Sequence, residues 1–183
     1  MKRLRTAAVL VALIEAMKDQ GSWCGETNIQ KASYFLQEMM GVPFGFEFIL
    51  YKYGPYSFEL TDELTGLLAD SILSLTVRDE RYGPCYGRGP VSELILSKFA
   101  KTVSQYRPRI DFVASRLGKK GIGELERLAT ALYVSLRNRE GSPVECRASE
   151  LRSLKSHIDE AASVDATREV DAMLSQARLV LNS

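Results

Sequence analysis

The residue types that most often carry out catalysis are sparse in this chain of 183 residues. Its single histidine, His157, precedes the apolar Ile158 on a predicted surface helix, where a lone histidine is usually solvated or caps a helix. The sequence offers no second histidine for a metal site, and no cysteine or aspartate at ligand spacing from His157. It contains neither a GxSxG nucleophile elbow nor a Walker loop. We therefore expect a protein that is not an enzyme and that uses no metal or cofactor.

The three cysteines, Cys24, Cys85 and Cys146, are odd in number and far apart, and no CxxC pair occurs. This pattern favours neither a zinc ribbon nor a disulfide framework. Free thiols in a reducing cytosol are the simplest interpretation, so a cytoplasmic location is expected. The composition, 45% hydrophobic and 26% charged, is that of an ordinary globular protein, and the net charge is +1. A general electrostatic attraction to nucleic acid or membrane is therefore not expected.

Aromatic side chains are concentrated between residues 34 and 58, and three tyrosines there fall on alternating or turn positions. Tyrosines whose ring packs while the hydroxyl reaches the surface are enriched in interface hot spots. Lys31 lies on the helix face opposite Leu36 and Met39, from which it can reach solvent, a carboxylate or a carbonyl. A rigid, purely structural Tyr-Gly-Pro turn is an alternative that stays open. The candidate partner-binding residues are Lys31, Tyr34, Tyr53 and Tyr56.

A second candidate surface is the basic segment 98–120, which has one acidic residue, Asp111. Gly121-Ile122-Gly123 follows this segment between two predicted helices, the outline of a helix-hairpin-helix whose exposed amides can hold a phosphate. The alternative is a glycine C-cap with lysines that favour the negative end of a helix. The candidate nucleic-acid-binding residues are Arg107, Arg109, Arg116, Lys119 and Lys120.

These residues must be positioned by a mainly α-helical α+β fold, as hydrophobic periodicity indicates. The predicted order of helix, helix, strand, helix and hairpin is that of a winged helix, with a small antiparallel sheet built from 46–52 and the hairpin 72–87. Its expected recognition helix, 57–70, has Glu59, Asp62, Glu63 and Asp70 and no lysine or arginine, so a DNA surface is not expected there. Ser57 can cap this helix. The predicted helices are 4–18, 27–40 (with Thr27 as a candidate cap), 57–70, 91–106, 108–117 starting at Pro108, 123–138, and two more in 147–183.

We expect residues 1–140 to form one domain and 141–183 to be C-terminal helices docked onto it.

Lys2, Arg3 and Arg5 precede the apolar residues 7–14, a pattern that resembles the start of a signal peptide. Charged residues follow at once, however, and no small-x-small cleavage site appears. A buried first helix is therefore expected. No apolar run approaches the ~20 residues of a membrane span.

The segment that reads IQKASYFLQ, followed by an aromatic strand, YKYGPYS and an amphipathic helix, resembles YwgA-like bacterial proteins, which are similar to the Panacea-type antitoxins. The resemblance is best over residues 5–85. It implies a small helical domain with a β-hairpin that binds, and neutralises or delivers, a partner protein. We therefore expect a non-enzymatic regulatory protein whose partner is a toxin or another protein, with a homodimer left open. A winged-helix transcription regulator or DNA-associated protein that uses 98–120 is the alternative. The matching residues are Gln30, Lys31, Tyr34, Phe35, Lys52, Tyr53, Gly54, Pro55 and Tyr56.

Overall fold

The computed structural model describes residues 1–77, 83–139 and 141–182. Over these ranges the chain forms eight α-helices and two separate antiparallel β-hairpins, which confirms the predicted mainly α class of α+β fold. Within the described ranges, no helix is both long and apolar enough to cross a lipid bilayer. The elements are α1 (Arg3–Asp19), α2 (Glu26–Tyr34), a π-helical turn (Phe35–Met39), β1 (Ile49–Tyr51), β2 (Gly54–Tyr56), α3 (Phe58–Ala69), β3 (Leu73–Thr76), β4 (Cys85–Arg88), α4 (Ser92–Lys98), α5 (Ala100–Leu117), α6 (Ile122–Arg137), α7 (Val144–Leu154) and α8 (Glu160–Leu181).

Helix α1 lies at the centre of the core. All of residues 7–14 are buried, as their continuous apolar sequence predicts. Helix α5 packs along α1, and Gly118, just after α5, lies directly against the end of α1. A side chain at Gly118 would overlap the Cβ of Gln20, so only glycine fits there. The expectation of a buried first helix is confirmed.

Helix α2 begins one residue earlier than predicted and continues as the π-helical turn, which ends before Gly41. Gly41 has a φ of +65°, which glycine adopts without penalty. The predicted cap at Thr27 is wrong, because Gly25 occupies the N-cap position. Its amide donates to Oδ1 of Asn28, 3.1 Å away, and so the first turn is held by Asn28.

The predicted sheet of 46–52 with 72–87 is wrong. Strand β1 pairs instead with β2, with Ile49 opposite Tyr56 and Tyr51 opposite Gly54. Gly54 and Pro55 therefore do not break the chain after a strand but begin the return strand of a tight hairpin. The turn itself lies at 52–53, and Gly54 leaves it with a positive φ of +83°, which glycine adopts without penalty. The second hairpin, β3–β4, forms its own sheet. The turn predicted at Asp79-Glu80, with Arg78 and Arg81, lies outside the described residues.

The start of a helix at Pro108 is also wrong, since Pro108 lies inside α5. The break falls at Phe99, between α4 and α5, where ψ is 27°. A proline removes one backbone hydrogen bond and crowds the preceding turn. Helix α5 continues through it because a buried apolar face holds the helix against the core. That face consists of Tyr106, Ile110, Val113, Ala114 and Leu117.

The last two helices pack on the remainder of the fold. Helix α8 contacts α5, α6 and α7, with Val170 and Met173 in the core. Arg147 of α7 donates two parallel hydrogen bonds, of 2.6 and 2.7 Å, to the carboxylate of Asp171 on α8. His157 was expected on a helix, but α7 ends at Leu154 and His157 is exposed in the turn that follows.

Candidate partner-binding surface

Lys31 binds the backbone of β2 from inside the fold. Its side chain is 1% exposed, and its Nζ donates a 2.8 Å hydrogen bond to the carbonyl oxygen of Pro55. Because Pro55 has no amide hydrogen, this carbonyl is the group through which its backbone can bind a neighbour. Burial lowers the pKa of Lys31 to about 8, an effect that Glu126 partly offsets and Lys155 increases. Of the three destinations predicted for Lys31, the structure selects the carbonyl.

A second buried lysine holds the turn of the same hairpin. Lys155, which follows α7, donates to the carbonyl of Lys52, and its Nζ lies 3.5 Å from the carbonyl oxygen of Tyr51. The Nζ also lies 3.0 Å from Oε1 of Glu126 on α6, and both side chains are at most 10% exposed. A buried charge pair that also binds backbone carbonyls requires this one geometry. The hairpin is thereby attached to a segment roughly a hundred residues further along the chain.

Gly54 lets the hairpin lie directly on α6. A Cβ at Gly54 would lie 3.0 Å from Oγ1 of Thr130 and 3.4 Å from the carbonyl oxygen of Glu126. The position therefore requires glycine twice, for its positive φ and for the close approach of α6. Together with the two lysines, this contact makes the hairpin a rigid part of the fold.

Gln30 joins the end of the hairpin to the start of α3. Its Oε1 accepts from the Ser57 amide at 3.0 Å, and its Nε2 donates to the Ser57 carbonyl at 2.8 Å. Ser57 caps α3 as predicted, because its Oγ accepts from the amide of Leu60. Gln30 and Lys31, adjacent in α2, thus bind Ser57 and Pro55. The helix that contains IQKASYFLQ and the segment YKYGPYS are therefore in direct contact.

The outer side of this region is an exposed aromatic surface. The rings of Tyr51, Tyr56 and Phe58 contact one another, with centroids 5.1 to 5.8 Å apart. Tyr53 is 55% exposed, and Tyr51 and Phe58 are each 54% exposed. Exposed rings packed side by side on a rigid support have already lost part of their rotational freedom, which reduces the entropic cost of binding. The aromatic surface consists of Ile49, Tyr51, Tyr53, Tyr56 and Phe58.

A cavity of about 190 Å³ opens beside the aromatic surface, between the hairpin and the first turns of α2. Tyr51, Tyr53 and Tyr56 line one side of it, and Glu26 lines the other. Oε1 of Glu26 accepts from the hydroxyl of Tyr56 at 2.9 Å and from that of Thr61 at 2.8 Å. Burial raises the pKa of Tyr56; the hydrogen bond with Thr61 partly offsets this effect, and the hydrogen bond to Glu26 adds to it.

The structure divides the four predicted partner-binding residues into two pairs. Tyr53 and Tyr56 lie on the aromatic surface. Lys31 and Tyr34 are buried, with Tyr34 only 3% exposed and its ring against Phe48, so neither is part of the exposed aromatic surface, contrary to the prediction. Burial of Tyr34 follows from its neighbours at helical spacing, which face the core. Sequence reasoning missed Phe58, Glu26, Glu126 and Lys155.

Each of the predicted arginines of the basic segment makes a contact within the protein. Arg107 pairs with Asp111 in its own helix, and Arg109 donates to the carbonyl of Met40 at 2.9 Å. The guanidinium of Arg116 lies over the ring of Phe112. Of these three arginines, Arg107 has its charge paired with a carboxylate, whereas Arg109 and Arg116 are held by neutral groups and keep their positive charge.

The turn between α5 and α6 uses one of its glycine amides within the helix start. The amide of Gly121 donates to Oε2 of Glu124 at 3.1 Å, so a carboxylate lies where a phosphate would bind. Lys120 forms ion pairs with Glu124 and Glu169, the latter at 2.7 Å. Of the five candidates, Lys119 is exposed and has no ion pair among the described residues. These contacts favour a structural turn over a phosphate site.

Groups of three or more metal-ligating side chains are absent from residues 1–77, 83–139 and 141–182. The geometry that stands out is therefore the rigid hairpin with its aromatic surface and the cavity beside Glu26.

Comparison of the sequence with protein-family models and with curated proteins gave no match in either case.

Proposed function

We propose that this protein is a non-enzymatic regulator, antitoxin-like or adaptor-like, that binds a partner protein through the aromatic surface. The observation that carries the proposal is a group of three mutually packed rings, of which Tyr51 and Phe58 are more than half exposed, at a hairpin that two buried lysines hold in place. Tyrosine and phenylalanine supply large contact areas at low entropic cost, which is why aromatic residues dominate interface hot spots.

The construction beneath the hairpin supports this proposal. A buried lysine costs free energy unless it is well paired, yet two of them are used here to hold three backbone carbonyls of one short hairpin. A fold that needed only stability could fill this space with apolar side chains. Holding the hairpin in one fixed geometry is what a recognition surface requires.

Partner capture with two surface variants tests the proposal. The tagged full-length protein is used to isolate bound proteins from its native host, alongside Tyr53→Ala and Phe58→Ala. Because both side chains are more than half exposed, the melting temperatures of these variants should stay near that of the wild type. Leu179→Ala is the matched control, since Leu179 is an exposed apolar residue on α8, outside the aromatic surface.

The expected result is a protein enriched by the wild type and by Leu179→Ala but lost with both aromatic variants. Equal recovery with all four proteins would place the interface elsewhere and remove the proposal. Recovery of nucleic acid alone, or of the protein itself alone, would also contradict a separate protein partner. A melting temperature that falls in Tyr53→Ala would assign that ring to the core.

A further inference from the structure

The cavity between α2 and the β1–β2 hairpin combines π faces with a carboxylate. Tyr51, Tyr53 and Tyr56 provide the rings, and Glu26 provides the negative charge. An arrangement of aromatic faces around one carboxylate is the chemistry that attracts an ammonium or guanidinium group. The following argument rests on the proposed function, because it concerns what a partner would place there.

We infer that this cavity receives a basic side chain, arginine or lysine, of the partner protein.

The hydrogen bonds of Glu26 leave it able to bind such a group. Oε1 accepts from Tyr56 and Thr61, which fixes the orientation of the carboxylate. A carboxylate has two oxygens and about four acceptor positions, so Oε2 retains capacity for a charged donor. A carboxylate held in place loses little entropy when it pairs, in contrast to a mobile surface glutamate.

One tyrosine of the cavity already interacts with a cation. Nζ of Lys52 lies 5.3 Å from the centroid of the Tyr53 ring, within the range of a cation–π contact. Lys52 is exposed and belongs to the same chain, so this contact occupies at most one side of the ring. It indicates that the Tyr53 ring is accessible to a cation in this setting.

Charge around the aromatic surface agrees with a basic partner. Helix α3 exposes Glu59 and Asp62 next to Phe58, and Glu47 lies on the preceding segment. Lys52 is the basic side chain on this edge of the hairpin. The excess of negative charge would draw in a positively charged segment and repel an acidic one.

Lys31 also lines the cavity, and its charge has to be weighed against a cationic occupant. Its Nζ is bonded to the carbonyl of Pro55 and its side chain is 1% exposed, so it contributes its aliphatic part to the wall. Glu126, on the other side of Lys31, offsets part of its positive charge. The accessible charge of the cavity is therefore that of Glu26.

Titration with capped amino acids tests the inference without knowledge of the partner. The full chain, labelled with ¹⁵N, is titrated with N-acetyl-arginine amide, whose only charge is the guanidinium. N-acetyl-glutamine amide and N-acetyl-glutamate amide serve as neutral and acidic comparisons. We expect saturable shifts of the amide signals of Glu26, Thr27 and Gly54 with the arginine derivative, and much smaller shifts with the other two.

Two variants establish which groups are responsible. Glu26→Gln keeps the acceptor for Tyr56 and Thr61 but removes the charge, and it should weaken arginine binding on the order of tenfold. Tyr53→Ala should also weaken it. Glu145→Gln, an exposed glutamate on α7, should leave the affinity unchanged.

Equal binding of the glutamate derivative, or an affinity that Glu26→Gln does not change, would overturn the inference. The partner capture experiment separates this failure from that of the proposed function. If a partner is lost with Tyr53→Ala and Phe58→Ala but retained by Glu26→Gln, the aromatic interface stands and the basic side chain is refuted. If arginine binds but no partner depends on the aromatic surface, the proposed function fails by itself.

Discussion

Replacing Lys155 by methionine tests whether the buried charge pair fixes the hairpin. Methionine keeps a similar volume but removes the positive charge and its hydrogen bonds. Glu126 would then be a buried carboxylate without its ion-pair partner, 3.0 Å from where Nζ had been. The carbonyl of Lys52 would lose the donor that holds the hairpin turn.

The expected loss of stability is large. Breaking one side of a buried ion pair costs about 3–5 kcal/mol, because the remaining charge stays desolvated. For a chain of this size, that corresponds to a fall in melting temperature of roughly 2–4 °C for each kcal/mol. Replacing the acid as well, in Lys155→Met/Glu126→Gln, should recover more than ~1 kcal/mol, since no buried carboxylate is then left without its ion-pair partner.

Urea denaturation at neutral pH, followed by circular dichroism, measures these free energies for the wild type, both single variants and the double variant. Arg152→Met is a matched control, because Arg152 is a partly exposed cation near Lys155 whose ion pair with Glu160 lies on the surface. It should cost less than ~1 kcal/mol. A Lys155→Met variant within ~1 kcal/mol of the wild type would refute the assignment of a buried, structure-fixing pair. Strictly additive single substitutions would refute the coupling.

Three further outcomes are expected. Gly54→Ala should destabilise the protein by about 1–3 kcal/mol, because alanine is strained at positive φ and its Cβ would contact Thr130. Measured by urea denaturation, this loss of stability should become smaller, but not vanish, when Thr130 is also replaced by alanine. An unchanged stability of Gly54→Ala would contradict the observed turn. Burial lowers the pKa of Lys31 from 10.5 to about 8, so between these values the unfolded chain keeps a proton that the folded chain has released. The free energy of unfolding of the wild type should therefore rise between about pH 8 and pH 10, by at most about 1.4 kcal/mol per pH unit, relative to that of Lys31→Met. If the free energies of wild type and variant change in parallel with pH, this prediction is refuted. Lys120→Gln should leave elution from heparin nearly unchanged, because the charge of Lys120 is already paired with two glutamates; a clearly lower elution salt concentration would restore the nucleic-acid alternative.

Local patterns in the sequence were sufficient for most helices. Continuous apolar residues in 7–14 require burial on every side, and Ser57 before a polar-apolar repeat predicts a helix start that the structure confirms. These features depend on neighbours within a few residues. Strand pairing does not, and for that reason the partner of β1 was wrongly assigned to the hairpin 72–87. The short return strand at 54–56 contains glycine and proline, which normally indicate a turn.

The aromatic residues of the candidate surface were visible in the sequence, but which of them are exposed was not. Tyr34 and Tyr53 are the same residue type, yet one packs against Phe48 and the other is more than half exposed, because α2 faces the core and the hairpin turn does not. Lys155 and Glu126 carried no local signal, since a charged residue beside an apolar one is common on any surface helix. Only the tertiary structure brings Lys155 within hydrogen-bonding distance of the Lys52 carbonyl. There it is buried with Glu126 and holds the hairpin in place.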